Sequence, residues 1–130
     1  KGHIHGKDGI YAASLLVEMM AVSGKKLSEI AEDIRKEYGE IHMEERAYRF
    51  TAEEKERIHK TLMMDQALPE IPFEIDHVSY MDGCKVYLKN GGWVSARFSG
   101  TEPLLRIFCE MQTEHEAVLL CELFETFLGL

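Results

Sequence analysis

Two turn signals constrain this chain more than any other feature. Asp82-Gly83 and Asn90-Gly91-Gly92 each stand between short runs in which apolar and polar residues alternate. Asn, Asp and Gly tolerate the positive φ that tight hairpin turns demand, and strict alternation is the period of a strand with one buried face. Residues 75–80, 85–88, 93–98 and 104–111 are therefore predicted as four strands of an antiparallel sheet. In the last of them Leu105, Ile107, Cys109 and Met111 alternate with residues that include Arg106 and Glu110, so that face is expected to point inward.

Helical spacing flanks this region. Residues 8–23 read as a helix stopped by Gly24, and Leu27, Ile30, Ala31, Ile34 and Tyr38 recur as one helix face before Gly39. Residues 43–50 have a strand-like pattern. Thr51 stands three residues before Glu54, the spacing of a capping box, and opens a helix expected to run to Met64. Thr113 and Glu116 repeat that signal before a final helix that would bury Ala117, Leu120, Cys121, Phe124 and Leu128. Pro69 and Pro72 break the chain between the two regions. The expected class is α+β: a four-stranded antiparallel sheet covered by helices.

At 130 residues the chain can hold one core, or one small domain plus part of another. A formal charge of -8 repels polyanions at long range, which argues against nucleic acid and membrane surfaces as partners but not against a small anion in one basic pocket. Three cysteines without CxxC spacing do not make a disulfide framework and point to a reducing compartment, the cytoplasm. The apolar run from Ile10 to Val22 is broken by Ser14 and Glu18 and is too short to span a bilayer. A helix apolar nearly all round needs burial on all sides. With little chain before it, the first helix is expected to be the remnant of a domain cut from a larger protein.

The segment with the most chemistry is Arg97-Phe98-Ser99-Gly100-Thr101-Glu102-Pro103, followed by Arg106. A phosphate dianion is matched by a two-pronged guanidinium, by hydroxyl donors and by inward-pointing backbone N–H groups. Arg97 supplies the first and Ser99 and Thr101 the second, while Gly100 allows the backbone to come close. The same residues would also serve as a plain polar hairpin turn.

Read as R-F-S-G-T-E-P-L-L-R, residues 97–106 resemble the phosphate-binding signature in the last domain of the α-D-phosphohexomutases, the phosphoglucomutase/phosphomannomutase group. The resemblance implies that Arg97, Ser99, Gly100 and Thr101 grip the phosphate of a bound hexose phosphate, of glucose or mannose. Phe98 leans toward those sugars rather than glucosamine. Arg106 matches a family position whose role is open between ligand contact and structure. His3-Ile4-His5-Gly6-Lys7-Asp8-Gly9 is similar to the family's H-I-x-x-K-D-G segment, which implies a substrate-proximal His3 and a proton-transferring Lys7. The alternative for that stretch is a solvated loop, with Asp8 favourable at a helix start.

The resemblance further implies two parts: residues 1–40 as the end of the third, α/β domain, and residues 41–130 as a C-terminal phosphate-binding domain with a fold like the TATA-binding protein. Relatives use a phosphoserine, Mg²⁺ at a D-x-D-x-D segment and a hexose 1,6-bisphosphate intermediate. Neither segment is in this sequence, so the fragment alone is expected to lack mutase activity, its partners being the missing N-terminal domains and the hexose phosphate. A rival reading is a free-standing phosphate- or phosphopeptide-binding module; another is an interaction domain in which Arg97 is structural.

Other residues take blander roles. His3, His5 and Asp8 do not share a helix face and make a poor metal set. Glu53, Glu54 and Glu56, and Glu44 and Glu45, read as solvated surface. Trp93 is expected in or beside the core rather than stacked on a sugar, and the pairs Met19-Met20 and Met63-Met64 read as filler on buried faces.

Overall fold

The structure, a computed structural model, describes residues 6–130; His3 and His5 lie outside the described residues. Two compact units are present, Lys1–Glu40 and Ile41–Leu130.

The first unit contains α1 (Gly9–Ser23) and α2 (Leu27–Tyr38). Asp8 caps α1, its carboxylate accepting from the Tyr11 N–H at 2.9 Å, and Gly24 ends it with φ 66°, the left-handed conformation glycine takes without strain. α2 starts with the Glu29 carboxylate accepting the Lys26 N–H at 2.7 Å. Neither helix has a buried residue: Ile10 and Val22 are more than four-fifths exposed.

The second unit runs β1 (His42–Arg49), α3 (Ala52–His59), a π-helical turn (Lys60–Met64), β2 (Ile75–Ser79), β3 (Cys84–Leu88), β4 (Trp93–Phe98), β5 (Leu104–Met111) and α4 (Glu114–Leu128). The strands form one antiparallel sheet in the order β1-β5-β4-β3-β2. The α+β class stands, but the sheet has five strands, not four. The added edge is the segment 42–49, which pairs along its whole length with 104–111, His42 opposite Met111 and Arg49 opposite Leu104. Such pairing across some sixty residues leaves no turn signal in the sequence.

The core follows from the alternation. Cys84, Val86 and Leu88, Val94 and Ala96, and Leu105, Ile107, Cys109 and Met111 are all buried, and they meet Ala117, Leu120, Cys121, Phe124 and Leu128 of α4. Ile58 of α3 and Leu62 of the π-turn join the same cluster. Each fully buried side chain of this size contributes about 1.5–3 kcal/mol over its exposed state. The helix predicted to run to Met64 widens at Lys60, where the Asp65 N–H donates to the Lys60 carbonyl at 2.9 Å. That widening leaves Leu62 inside and Met64 70% exposed, so Met64 is not buried filler.

β1 is held by polar contacts on its inward face. Arg46 reaches Glu125 of α4 at 2.5 Å and Glu44 at 3.0 Å, and the Tyr48 hydroxyl donates to the same Glu125. The Glu125 carboxylate, then Glu44, raises the pKa of the Arg46 guanidinium further above its ordinary value.

Burial pushes the Cys84 thiol up to about 11 from an ordinary 9.0. In the unfolded chain this thiol ionises first, so its contribution to stability is full below pH 9 and is lost as pH rises through about 11. Urea midpoints measured from pH 8 to 11 should therefore fall more steeply in the parent chain than in Cys84→Val, which has no thiol to ionise.

Candidate functional site

β4 delivers Arg97 and Phe98 to one end of the sheet, and β5 leaves from the same end with Leu104. Residues 99–103 close the gap. The Ser99 N–H donates to the Leu104 carbonyl at 2.7 Å, and the Leu104 N–H to the Glu102 carbonyl at 2.8 Å. Inside this frame the Ser99 Oγ lies 3.5 Å from the Thr101 Oγ1 and accepts the Thr101 N–H at 3.4 Å. Both hydroxyls and a backbone N–H thus converge within one short loop. A side-chain carbon placed at Gly100 would meet nothing within 4 Å, so space is open in front of the backbone there. Gly100, Thr101, Glu102 and Pro103 are exposed, and the loop needs no unveiling to meet a ligand.

Arg97 projects from the sheet face opposite the helices. Its Nη1 donates to the Asp82 Oδ2 at 2.7 Å, an exposed pair that bridges the β2–β3 turn to β4. The partner follows from Gly83, which has φ 84° and packs against the Arg97 backbone. Sequence reasoning singled out Asp82-Gly83 only as a turn; that Asp82 would face Arg97 was not legible without the register.

Arg106 stands directly across from Arg97, two like charges on neighbouring strands. It is restrained by Glu102 at 3.3 Å and Glu45 at 3.8 Å. Glu102 lies in the loop and Glu45 on β1, so Arg106 braces the loop against the edge strand. Phe98 turns the other way, edge-on to Phe50 with centroids 5.2 Å apart, and Lys55 of α3 lies 5.7 Å from its ring centroid. Lys55 is a third cation near this end of the sheet after Arg97 and Arg106, missed because nothing in its spacing links it to residue 98.

The structure therefore places Ser99, Gly100 and Thr101 in one turn, with Arg97 in the adjoining end of β4 and its guanidinium turned to Asp82. Lys7 belongs to the first unit, where it is exposed two residues before α1, and His3 lies outside the described residues. Trp93 is not in the core: it is half-buried on the outer sheet face, beneath the Lys85 ammonium. Among the described residues no three His, Cys, Asp or Glu side chains are grouped to hold a metal ion. None of the helices described is long and apolar enough to cross a membrane.

Comparison with known proteins bears directly on this loop. Residues 48–125 match the model of the phosphoglucomutase/phosphomannomutase C-terminal domain, and residues 1–38 match that of the α/β/α domain III of the same proteins. The chain belongs to the phosphoglucomutase/phosphomannomutase family. A phosphoglucomutase/phosphomannomutase of Thermococcus kodakarensis is 34% identical over 115 residues, 86% of this chain and 22% of the relative. A phosphoglucosamine mutase of Geobacillus kaustophilus is 32% identical over 107 residues, 82% of this chain and 20% of the relative. The chain thus spans about a fifth of the length of these relatives. A Thermus thermophilus structure described as a putative phosphomannomutase superposes with a TM-score of 0.66 at 22% identity, over 98% of this chain and 23% of that one, and so shares the fold.

The loop geometry carries its own prediction. Asp82 competes with any anion for Arg97, and an exposed pair of this kind is worth about 0.2–1 kcal/mol. Asp82→Asn should therefore tighten phosphate binding by about two- to fivefold. Isothermal titration with inorganic phosphate at low salt checks this, and weaker binding would instead mean that Asp82 orients Arg97.

Proposed function

We propose that this chain is the C-terminal part of a phosphohexomutase and that its loop clamps the phosphate of a hexose phosphate. The observation that carries the reading is the meeting of the Ser99 and Thr101 hydroxyls beside the open backbone at Gly100, two residues beyond Arg97, in a family-matched domain. The donors suit a dianion: the guanidinium offers two parallel N–H groups and the hydroxyls rotate to meet the remaining oxygens.

In this reading residues 1–40 end the third domain and residues 41–130 form the C-terminal domain. The intact enzyme moves a phosphoryl group between the 1- and 6-positions of the sugar by way of a hexose 1,6-bisphosphate. The relatives carry glucose-, mannose- and glucosamine-type names at nearly equal identity, so the hexose class, rather than one sugar, is the substrate proposed. Lys7 is the proton-transfer candidate, and His3 a substrate neighbour. Mg²⁺ supplies charge neutralisation at the transferring phosphoryl group in such chemistry. Among the described residues no three His, Cys, Asp or Glu side chains are grouped to hold that ion, and no step here is routed through it. The three free, buried cysteines suit a reducing cytoplasm.

What this chain contributes is binding and orientation. Arg97 fixes the phosphate, Ser99 and Thr101 set its rotation, and Arg106 with Glu102 and Glu45 keeps the loop from collapsing. Phosphoryl transfer needs nucleophile, metal and base together, so the 130-residue chain alone should turn over no glucose 1-phosphate. An amide NMR titration with glucose 1,6-bisphosphate tests the clamp. Saturable shifts confined to 97–101, absent in Arg97→Ala, support it; unshifted amides in that loop at about 50 mM ligand, far above a millimolar constant, reject it.

A further inference from the structure

The outer face of the sheet carries side chains that the phosphate loop does not use. His77, Tyr87 and Trp93 stand opposite one another across β2, β3 and β4. The His77 and Tyr87 rings stack at 4.3 Å with 12° between their planes. Lys85 Nζ lies 3.7 Å from the Trp93 ring centroid and 4.8 Å from that of Tyr87. Together with Ser95, Asp82 and Arg97 these residues line a cavity of about 470 Å³ on the sheet face.

The chemistry of this floor is specific. Lys85 makes no ion pair among the described residues; its ammonium rests on two π faces instead, an attraction that leaves its outward N–H groups free for an anion. Of the acids on this face, Asp82 is paired with Arg97, and Glu110 of β5 stands directly opposite Trp93. Two cations of one wall thus face a floor with large apolar rings and a hydroxyl. A bare anion would gain nothing from Trp93 and Tyr87, and an apolar molecule nothing from Lys85 and Arg97. A flat base would have to lift Lys85 off the centre of Trp93 to stack, whereas a polyol ring can use the ammonium, Ser95 and Asp82 without stacking face to face.

We infer that this outer sheet face is a second sugar-phosphate site, distinct from the loop 99–103 and sharing only Arg97 at its rim. The sugar ring sits at the uncovered margins of Trp93 and Tyr87, the phosphate meets Lys85 and the open side of Arg97, and Ser95 and Asp82 hydrogen-bond ring hydroxyls. Its occupant belongs to the same chemical class as the loop's ligand; because both draw on Arg97, the two sites are told apart by Lys85 on this face and by Ser99 and Thr101 in the loop.

Trp93 is the single tryptophan of the chain, so its fluorescence reports this face directly. The 130-residue chain is titrated with glucose 1-phosphate, with inorganic phosphate and AMP as comparison ligands. The expected result is a saturable Trp93 change with glucose 1-phosphate at a half-saturation about fivefold or more below either comparison ligand. It should survive Ser99→Ala/Thr101→Ala unchanged and weaken about fivefold or more in Lys85→Met, with Lys85→Arg restoring it. Circular dichroism confirms that each variant is folded, and Tyr87→Leu stands in if Lys85→Met is not. An absent or unsaturable change overturns the site. Equal response to inorganic phosphate reduces it to a plain anion patch, and tighter AMP makes it a base-stacking platform; both overturn the sugar assignment. Loss of the signal in the double loop variant also overturns it, by assigning the signal to the clamp. Loop amide shifts without a Trp93 response reject this site and leave the clamp intact, while the converse rejects the clamp alone.

Discussion

Replacing Arg97 by Ala should raise the dissociation constant for glucose 1,6-bisphosphate about 10- to 100-fold while leaving the fold nearly unchanged. The two halves of that expectation have different causes. A charge-assisted hydrogen bond to a phosphate contributes about 1.5–3 kcal/mol, and no other guanidinium in the loop replaces it, since Arg106 is engaged by Glu102 and Glu45. In the free chain Arg97 has only an exposed partner, Asp82, and such pairs contribute about 0.2–1 kcal/mol. Calorimetric titration alongside thermal unfolding separates them. A large drop in melting temperature with unchanged affinity would make Arg97 a structural residue and revive the interaction-domain reading. Arg97→Lys should recover only part of the binding, because an ammonium cannot present two parallel donors.

The second large effect is expected at Gly83. Gly83→Ala should destabilise the second unit by about 3 kcal/mol and weaken phosphate binding as well. At φ 84° an alanine is strained, and its Cβ would sit 2.6 Å from the Ala96 carbonyl oxygen and 3.0 Å from the Arg97 Cα. Those are backbone atoms in the middle of a sheet, so relief requires moving β4 and with it the loop. Gly91 is the control: its φ is 89°, but an added Cβ meets nothing within 4 Å, so Gly91→Ala carries strain without collision and should cost only about 1 kcal/mol. Urea unfolding of both variants checks the pair. Equal losses at the two positions would show that conformation, not contact with β4, is what Gly83 provides.

Arg97 and Gly83 also show where the sequence was legible. The motif R-F-S-G-T-E-P-L-L-R lies on one continuous stretch, so its residues must be neighbours in any fold that makes a hairpin there. The Asp82-Gly83 turn was likewise readable, because φ near 84° is a local demand that few residues satisfy. Capping by Thr51 and by Thr113 was legible for the same reason: each Oγ accepts the N–H three residues on, at 3.3 Å in both cases.

Relations between distant segments were not readable. β1 carries His42, Glu44, Arg46 and Tyr48 inward and has no apolar stripe, so its place in the sheet rests on the ladder with β5 and on Arg46 and Tyr48 meeting Glu125. From sequence Trp93 is expected in or beside the core, because a large aromatic side chain at a strand start usually packs there. Its parity with Ser95 and Arg97, rather than with Val94 and Ala96, puts it on the outer face.

The order of residues was enough to specify most of the local elements, the phosphate-matched loop and the α+β class, because each depends on backbone conformation or periodicity within a dozen residues. Assembly of the sheet added the rest: a fifth strand, Arg97 held by Asp82 while Arg106 braces the loop, and Lys85 resting on Trp93. Those are consequences of strand register, and register is fixed by which faces find the core, a property no single segment contains.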